Sequence, residues 1–348
     1  MHESPKKDHA TQQLQAVLED KVREIYGKVA GVQRLAKLSA GASRETWSFD
    51  VTTSEGTLLP LILKRDPVNY LADGTISKET ASAHSGISRT TEGQLLELSR
   101  KAGVPGPEVP FYLEQDDRTT EGFVMQRLEG ETLGRRILRE KAYADARTNL
   151  AYECGQAAAR IHNIPISDAP DELQTLGINE QLALQREQLQ SHDHPYPGFE
   201  FGLRWLKERV ELAGTRHTLA HGDFRNGNII VGEEGLRAVL DWEIAYLGNP
   251  MSDLGWICVP SWRYGHMKKP VGGFGEIEDL LRGYEDANGG EASAETIHYW
   301  MVFGTLRWGV MCIGMGFRHI NGPHPSLEHA AIGRRTAETE YDLLHLID

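Results

Sequence analysis

The segment from Leu219 to Glu243 restricts the fold of this chain more than any other. Two short apolar runs, Ile229-Ile230-Val231 and Ala238-Val239-Leu240, flank Gly232-Glu233-Glu234-Gly235. Aliphatic runs on either side of a glycine-bounded turn predict a β-hairpin. Asp223 and Asn228 precede the first run, and Asp241 closes the second. A short hairpin flanked by polar side chains must be carried by surrounding structure, because an isolated pair of strands is marginal in water.

That surrounding structure changes character along the chain. Residues 14–30 carry apolar residues at helical spacing and predict a leading helix. From Val32 to Leu128 the pattern is β-like: Trp47 to Val51 alternates, Leu58 to Leu63 is continuously apolar, and Phe123-Val124-Met125 follows the Asp116-Asp117 turn. Thr91 to Lys101 predicts one helix inside that region, closed by Gly103 and Pro105-Gly106-Pro107. The Ser-, Thr- and Gly-rich segment 72–88 is expected to be a mobile loop.

After Glu129-Gly130 the pattern turns helical, with helices expected at 144–164, 178–190, 199–213, 276–287, 293–317 and 326–346. The expectation is an α+β chain in three parts: a tail and leading helix (1–30), a small antiparallel sheet lobe with one inserted helix (31–128), and a larger, mostly helical lobe (129–348). A cleft between two lobes is a natural place for a ligand.

Composition narrows the function. At 348 residues the chain exceeds a single core, and 40% hydrophobic with 25% charged residues is ordinary for a globular protein. A net charge of −13 argues against coating nucleic acid or an anionic membrane, since both need a basic face. Ile297 to Phe317 is long enough to span a bilayer, but Arg307 sits at its centre, so a buried helix is expected. Cys154, Cys258 and Cys312 are odd in number and lie in apolar contexts, which suits free buried thiols. With a polar stretch from Met1 to Gln13 and no secretory pattern, the expected compartment is the cytoplasm.

Asp223 and Asn228 are five residues apart, and Asp241 follows Asn228 by thirteen. Phosphoryl transfer needs a group to orient the attacking hydroxyl and hard oxygen ligands for magnesium, and these residues supply them. Asp223 is the candidate catalytic base, with Asn228 and Asp241 as candidate Mg²⁺ ligands. In its H-G-D-x-x-x-x-N and L-D-W-E sequences the chain resembles the aminoglycoside phosphotransferase and choline kinase-like superfamily, relatives of the protein kinases. The resemblance runs from about Leu35 to Leu344 and is concentrated in residues 219–255. It departs from the protein kinases at Gly222, where they carry Arg.

The resemblance implies a bilobal protein-kinase-like fold and an ATP- or GTP-dependent, Mg²⁺-dependent transfer of phosphate to a small-molecule hydroxyl. It implies that Lys64 meets the nucleotide phosphates and pairs with Glu92, with Glu97 as the other choice. Gly41, Ala42 and Ser43 fall in the phosphate-covering loop, and Gln126 and Leu128 in the connector that holds the base. His221 is expected to orient the loop, Asp253 to anchor it, and Trp242 and Trp256 to belong to the core.

For the acceptor, Arg225, Arg263 and Arg307 are the candidate contacts. Phe303 and Arg307 form an F-x-x-x-R pattern resembling kinase-like domains fused to acyl-CoA dehydrogenases. That makes a hydroxyacyl-CoA-like acceptor an alternative to an aminoglycoside-like one. No nucleic-acid or membrane partner is expected, and homodimerisation is left open. A nucleotide-binding scaffold module without transferase activity is the competing function.

Overall fold

The computed structural model describes residues 5–27, 29–38, 44–68, 86–116, 118–192, 194–322 and 325–348. Residues 1–100 with 107–128 form one compact unit, and residues 101–106 with 129–348 form a second.

The first unit contains α1 (Pro5–Tyr26), β1 (Val29–Lys37), β2 (Glu45–Thr53), β3 (Leu58–Arg65), α2 (Arg89–Lys101), β4 (Phe111–Leu113) and β5 (Gly122–Gln126). The strands make one antiparallel sheet in the order β1-β2-β3-β5-β4. Alternation along β2 and β3 sends Trp47, Phe49, Val51, Leu61 and Leu63 into one core. Leu14, Val17, Leu18 and Val22 of α1 enter the same core. The leading helix, set apart in the sequence, is therefore packed into this unit. Burying each such side chain is worth roughly 1.5–3 kcal/mol.

Lys64 alternates to the opposite face of β3 from Leu63. Helix α2 begins where the Ser88 hydroxyl accepts the Thr91 N–H at 3.1 Å, and it stops ahead of Gly103, whose φ is +86°. The segment 72–85 lies outside the described residues.

The second unit holds α3 (Gly134–Arg139), α4 (Ala144–His162), α5 (Ile178–Gln190), α6 (Pro197–Lys207), β6 (Thr218–Ala220), β7 (Ile229–Val231), β8 (Leu236–Val239) and β9 (Tyr246–Gly248). It continues through α7 (Met251–Ile257), α8 (Ile277–Asp286), α9 (Ala294–Asn321), α10 (Leu327–Gly333) and α11 (Thr336–Ile347). The expected hairpin is β7–β8, closed by a Gly232 N–H to Gly235 carbonyl bond of 2.8 Å, and β6 pairs with β9.

Two expected helices are interrupted. The 199–213 pattern ends as α6 at Lys207, because Arg209 leaves helical geometry (φ −127°, ψ 25°), and a separate 3₁₀ turn spans Val210–Ala213. The 326–346 pattern divides into α10 and α11 where Gly333 lies against Gly316 of α9.

Helix α9 is long and apolar enough to cross a membrane, yet 61% of its most apolar window is buried inside the protein. It packs against α7, α10 and α11. All three cysteines are buried free thiols, and burial pushes Cys258 and Cys312 up to about 12.

Candidate active site

In the first unit, Lys64 Nζ lies 3.1 Å from Glu92 Oε1, so β3 and α2 bring together the expected pair. Glu92 is almost fully buried and also meets Arg89 and, at 3.5 Å, Arg44. Glu97, the other choice, instead accepts the Tyr112 hydroxyl at 2.5 Å. Gln126 ends β5 with an exposed side chain, its N–H donated to the Glu108 carbonyl at 2.8 Å. Leu128 is half-buried at the end of this unit. Gly41, Ala42 and Ser43 lie outside the described residues.

In the second unit, the loop after β6 carries His221 to Asn228. Gly222 adopts φ +80°, and a Cβ there would collide with the Ile244 carbonyl oxygen. Those two facts account for glycine where protein kinases have arginine.

Asp253 holds this loop by its backbone: Oδ2 accepts the His221 N–H at 2.7 Å and Oδ1 the Gly222 N–H at 2.9 Å. His162 Nε2 meets the same Oδ2 at 3.0 Å. Burial alone would raise the Asp253 carboxyl, but the His162 hydrogen bond and the neighbouring imidazoles hold it below the usual carboxylate value. The anchoring role expected for Asp253 is thus seen in its contacts.

His221 is also a loop-orienting residue. Burial lowers its pKa, which keeps the imidazole neutral. Its Nδ1 accepts the Asp223 N–H at 3.2 Å and its Nε2 faces the Leu240 carbonyl at 3.0 Å.

The Asp223 carboxylate is held by three donors. Oδ1 accepts from Arg225 Nε at 2.9 Å and from the Trp256 indole N–H at 2.6 Å. Oδ2 accepts from Asn228 Nδ2 at 2.5 Å. The Asn228 amide is fixed further by a 3.0 Å bond to the Asp223 carbonyl. Across the hairpin, the Leu240 N–H reaches the Asn228 carbonyl at 2.8 Å, and Asp241 is the next residue along the chain. Asp241 is a non-glycine residue at φ +64°, a strained geometry typical of functional positions.

The three arginines proposed for the acceptor have internal partners. Arg225 bonds Asp223 and lies over the Trp262 ring at 4.6 Å. Burial works against its charge, but adjacent Asp223 keeps its pKa raised. Arg307 donates to the Gly222 carbonyl at 3.1 Å and lies over Trp256 at 4.8 Å. Arg263 is buried, and burial lowers its pKa; its guanidinium donates to the Cys258 and Met267 carbonyls and touches the Met301 sulfur.

Trp256, expected from the sequence in the core, is buried there and also donates its indole N–H to the candidate base. The spacing offered a signal: Asp253 and Trp256 are three apart on α7, hence on one helical face. One anchors the loop backbone and the other its side chain. His162, far upstream on α4, carried no such signal.

Residues 34–294 match the family model described as the phosphotransferase enzyme family. The chain belongs to that family. The matched region contains Lys64, Glu92, Asp223, Asn228 and Asp241, and most of α9 to α11 lies beyond it.

Among curated proteins, this member of the phosphotransferase enzyme family is similar to acyl-CoA dehydrogenase family member 11 of Pongo abelii, 25% identical over 263 residues covering 69% of this chain and 33% of that protein. Family member 10 of Mus musculus is 26% identical over 350 residues, covering 94% and 31%. The chain spans about a third of the length of these relatives.

Solved structures agree in fold. A protein assigned as an aminoglycoside phosphotransferase from Ralstonia eutropha JMP134 has a TM-score of 0.72 at 18% identity, with 95% of this chain and 97% of that one covered. A ternary complex of APH(4)-Ia with ADP and hygromycin B has a TM-score of 0.59 at 17% identity, covering 95% and 97%. The GDP and kanamycin complex of APH(2")-IIia has a TM-score of 0.64 at 12% identity, covering 95% and 99%. At these identities the likeness shows a protein-kinase-like phosphotransferase fold.

Proposed function

We propose that this phosphotransferase moves the terminal phosphate of ATP or GTP, with Mg²⁺, onto a hydroxyl of a small metabolite. The observation that supports the reading is the Asp223 carboxylate, held at 2.5 Å by Asn228 Nδ2, with Asp241 the residue after Leu240, whose N–H bonds the Asn228 carbonyl. Asp223 orients the attacking hydroxyl and takes its proton.

The donor set suits magnesium. The Asn228 amide nitrogen is committed to Asp223, which turns the amide oxygen the other way as a hard ligand, and Asp241 adds a carboxylate. Magnesium bound there supplies positive charge against the triphosphate oxygens. Lys64, restrained by Glu92, is the residue for the α- and β-phosphates.

The acceptor is proposed among hydroxylated acyl-CoA esters and aminoglycoside-like compounds. The first is supported by the relatives named above, the second by the compounds bound to the structural neighbours.

A screen of hydroxyl compounds by nucleoside diphosphate release tests the reading, with Asp223→Asn and Asp241→Ala alongside. Transfer should vanish in Asp223→Asn with nucleotide binding kept, and Asp241→Ala should lose Mg²⁺-dependent nucleotide protection against melting. Normal turnover by Asp223→Asn would remove Asp223 from the role of base, whereas wild-type protein that binds nucleotide and transfers to nothing would favour a scaffold module.

A further inference from the structure

We infer that Trp256 and Arg225 select which oxygen of Asp223 serves as the base, and that this oxygen is Oδ2. The inference rests on the phosphoryl-transfer reading above. Each carboxylate oxygen has two acceptor positions. On Oδ1 both are filled, by Arg225 Nε at 2.9 Å and the Trp256 indole N–H at 2.6 Å. Among the described residues one is filled on Oδ2, by Asn228 Nδ2 at 2.5 Å. The remaining position, on Oδ2, is the one an incoming hydroxyl can use.

Both donors to Oδ1 are braced. Trp256 is buried, with Trp262 against it at 5.3 Å and the Arg307 guanidinium over it at 4.8 Å. Arg307 is itself tied to the Gly222 carbonyl of the same loop. Arg225 lies on Trp262, which in turn packs on Trp308 at 4.9 Å. The indole N–H groups of Trp262 and Trp308 are buried and have no hydrogen-bond partner among the described residues. Of the three clustered indoles, Trp256 is the one whose N–H is bonded, and it is bonded to Asp223.

Two cation–indole stacks thus hold a rigid pair of donors against Oδ1 and stop the carboxylate from rotating. In the transfer step the hydroxyl oxygen forms the new bond to the terminal phosphorus. The bond from phosphorus to the bridging oxygen breaks, its electron pair leaves with the nucleoside diphosphate, and the hydroxyl proton passes to Oδ2. Trp256 and Arg225 are positioning residues for that step.

The test measures Mg²⁺-dependent ATP hydrolysis by the full chain, with water in place of the hydroxyl, in wild type, Trp256→Phe, Arg225→Gln and Arg225→Lys. Phenylalanine keeps the ring and removes the donor. We expect kcat to fall about tenfold or more in Trp256→Phe and Arg225→Gln, the loss of a hydrogen bond to a charged group. The KM for Mg-ATP should stay within about twofold and the melting temperature within about 3 °C, because only the base is misplaced. Arg225→Lys, which can still donate, should recover part of the rate.

An unchanged kcat in Trp256→Phe overturns the inference. So does a loss matched by the KM or by melting in Arg225→Gln, which carries the test alone if Trp256→Phe is unstable. Wild-type protein without any Mg²⁺-dependent turnover removes the phosphoryl-transfer reading itself, and this inference with it.

Discussion

His162 Nε2 and Asp253 Oδ2, 91 residues apart in sequence, lie 3.0 Å from each other, and the same oxygen accepts the His221 N–H. One buried carboxylate therefore joins α4, α7 and the backbone of the loop that carries Asp223. Its pKa is depressed in the folded state. The stability it adds is present above the unfolded value of about 3.9 and is lost as pH falls toward the folded one. Urea unfolding followed from pH 7 to pH 3 should show a steeper acid loss in wild type than in Asp253→Asn. Asp253→Asn should already be weaker by about 3–5 kcal/mol at pH 7, since it leaves a buried network broken. Parallel acid limbs in the two proteins would sink this account.

Glu92 is nearly inaccessible and faces Lys64, Arg89 and Arg44. Glu92→Gln removes a buried negative charge that Lys64, Arg89 and Arg44 share, although Asp66 also lies 3.6 Å from Arg89, and should destabilise the chain by about 3–5 kcal/mol. Lys64 then loses its restraint, so the KM for nucleotide should rise. Denaturant titration and nucleotide kinetics read the two effects separately. A variant as stable as wild type would mean the cations are satisfied elsewhere.

Gly222 and Gly56 share a positive φ, +80° and +81°, but only Gly222 has a backbone oxygen where a Cβ would go. Gly56→Ala should cost roughly 1 kcal/mol of backbone strain, within the usual 1–3 kcal/mol for such geometry. Gly222→Ala should cost clearly more and should slow turnover, because the Asp223 loop must shift. Equal losses in the two variants would show that the Ile244 contact is easily relaxed.

Asp241 sits at φ +64° without the freedom of glycine. Asp241→Gly should therefore be more stable than Asp241→Ala by about 1 kcal/mol. Both should lose Mg²⁺-dependent nucleotide protection. Thermal melts with and without Mg-ATP separate the backbone effect from the ligand effect, and retained protection in Asp241→Gly would remove Asp241 from the metal site.

Cys154, Cys258 and Cys312 are buried thiols, with Cys258 and Cys312 pushed up to about 12. A thiol reagent should modify none of them quickly in the native state and all three in denaturant. Rapid native labelling at any one would locate a region that opens.

Strand and helix identity could be read wherever local periodicity is strong. β2, β3, α2, α4 and α8 were each expected within a few residues, and the β7–β8 hairpin followed from its glycines. The strands β6 and β9 were not foreseen, because three-residue strands carry too little periodicity to stand out. The break between α10 and α11 was invisible for another reason: it comes from Gly333 meeting Gly316 on a neighbouring helix. Arg225, Arg263 and Arg307 are acceptor candidates by resemblance, and the internal partner that each has in the fold could not be read from the sequence.

Residue spacing along the chain was enough to indicate the longer elements, the β7–β8 hairpin and the spacing of Asp223, Asn228 and Asp241. Such features depend on short-range geometry, which repeats every two or every 3.6 residues. The three-donor clamp on Asp223 could be known only from the folded molecule. Trp256 reaches that carboxylate across 33 residues, and Asp253 meets His162 across 91. Contacts of that range arise from how helices pack, and no local pattern encodes which side chains they will bring within 3 Å.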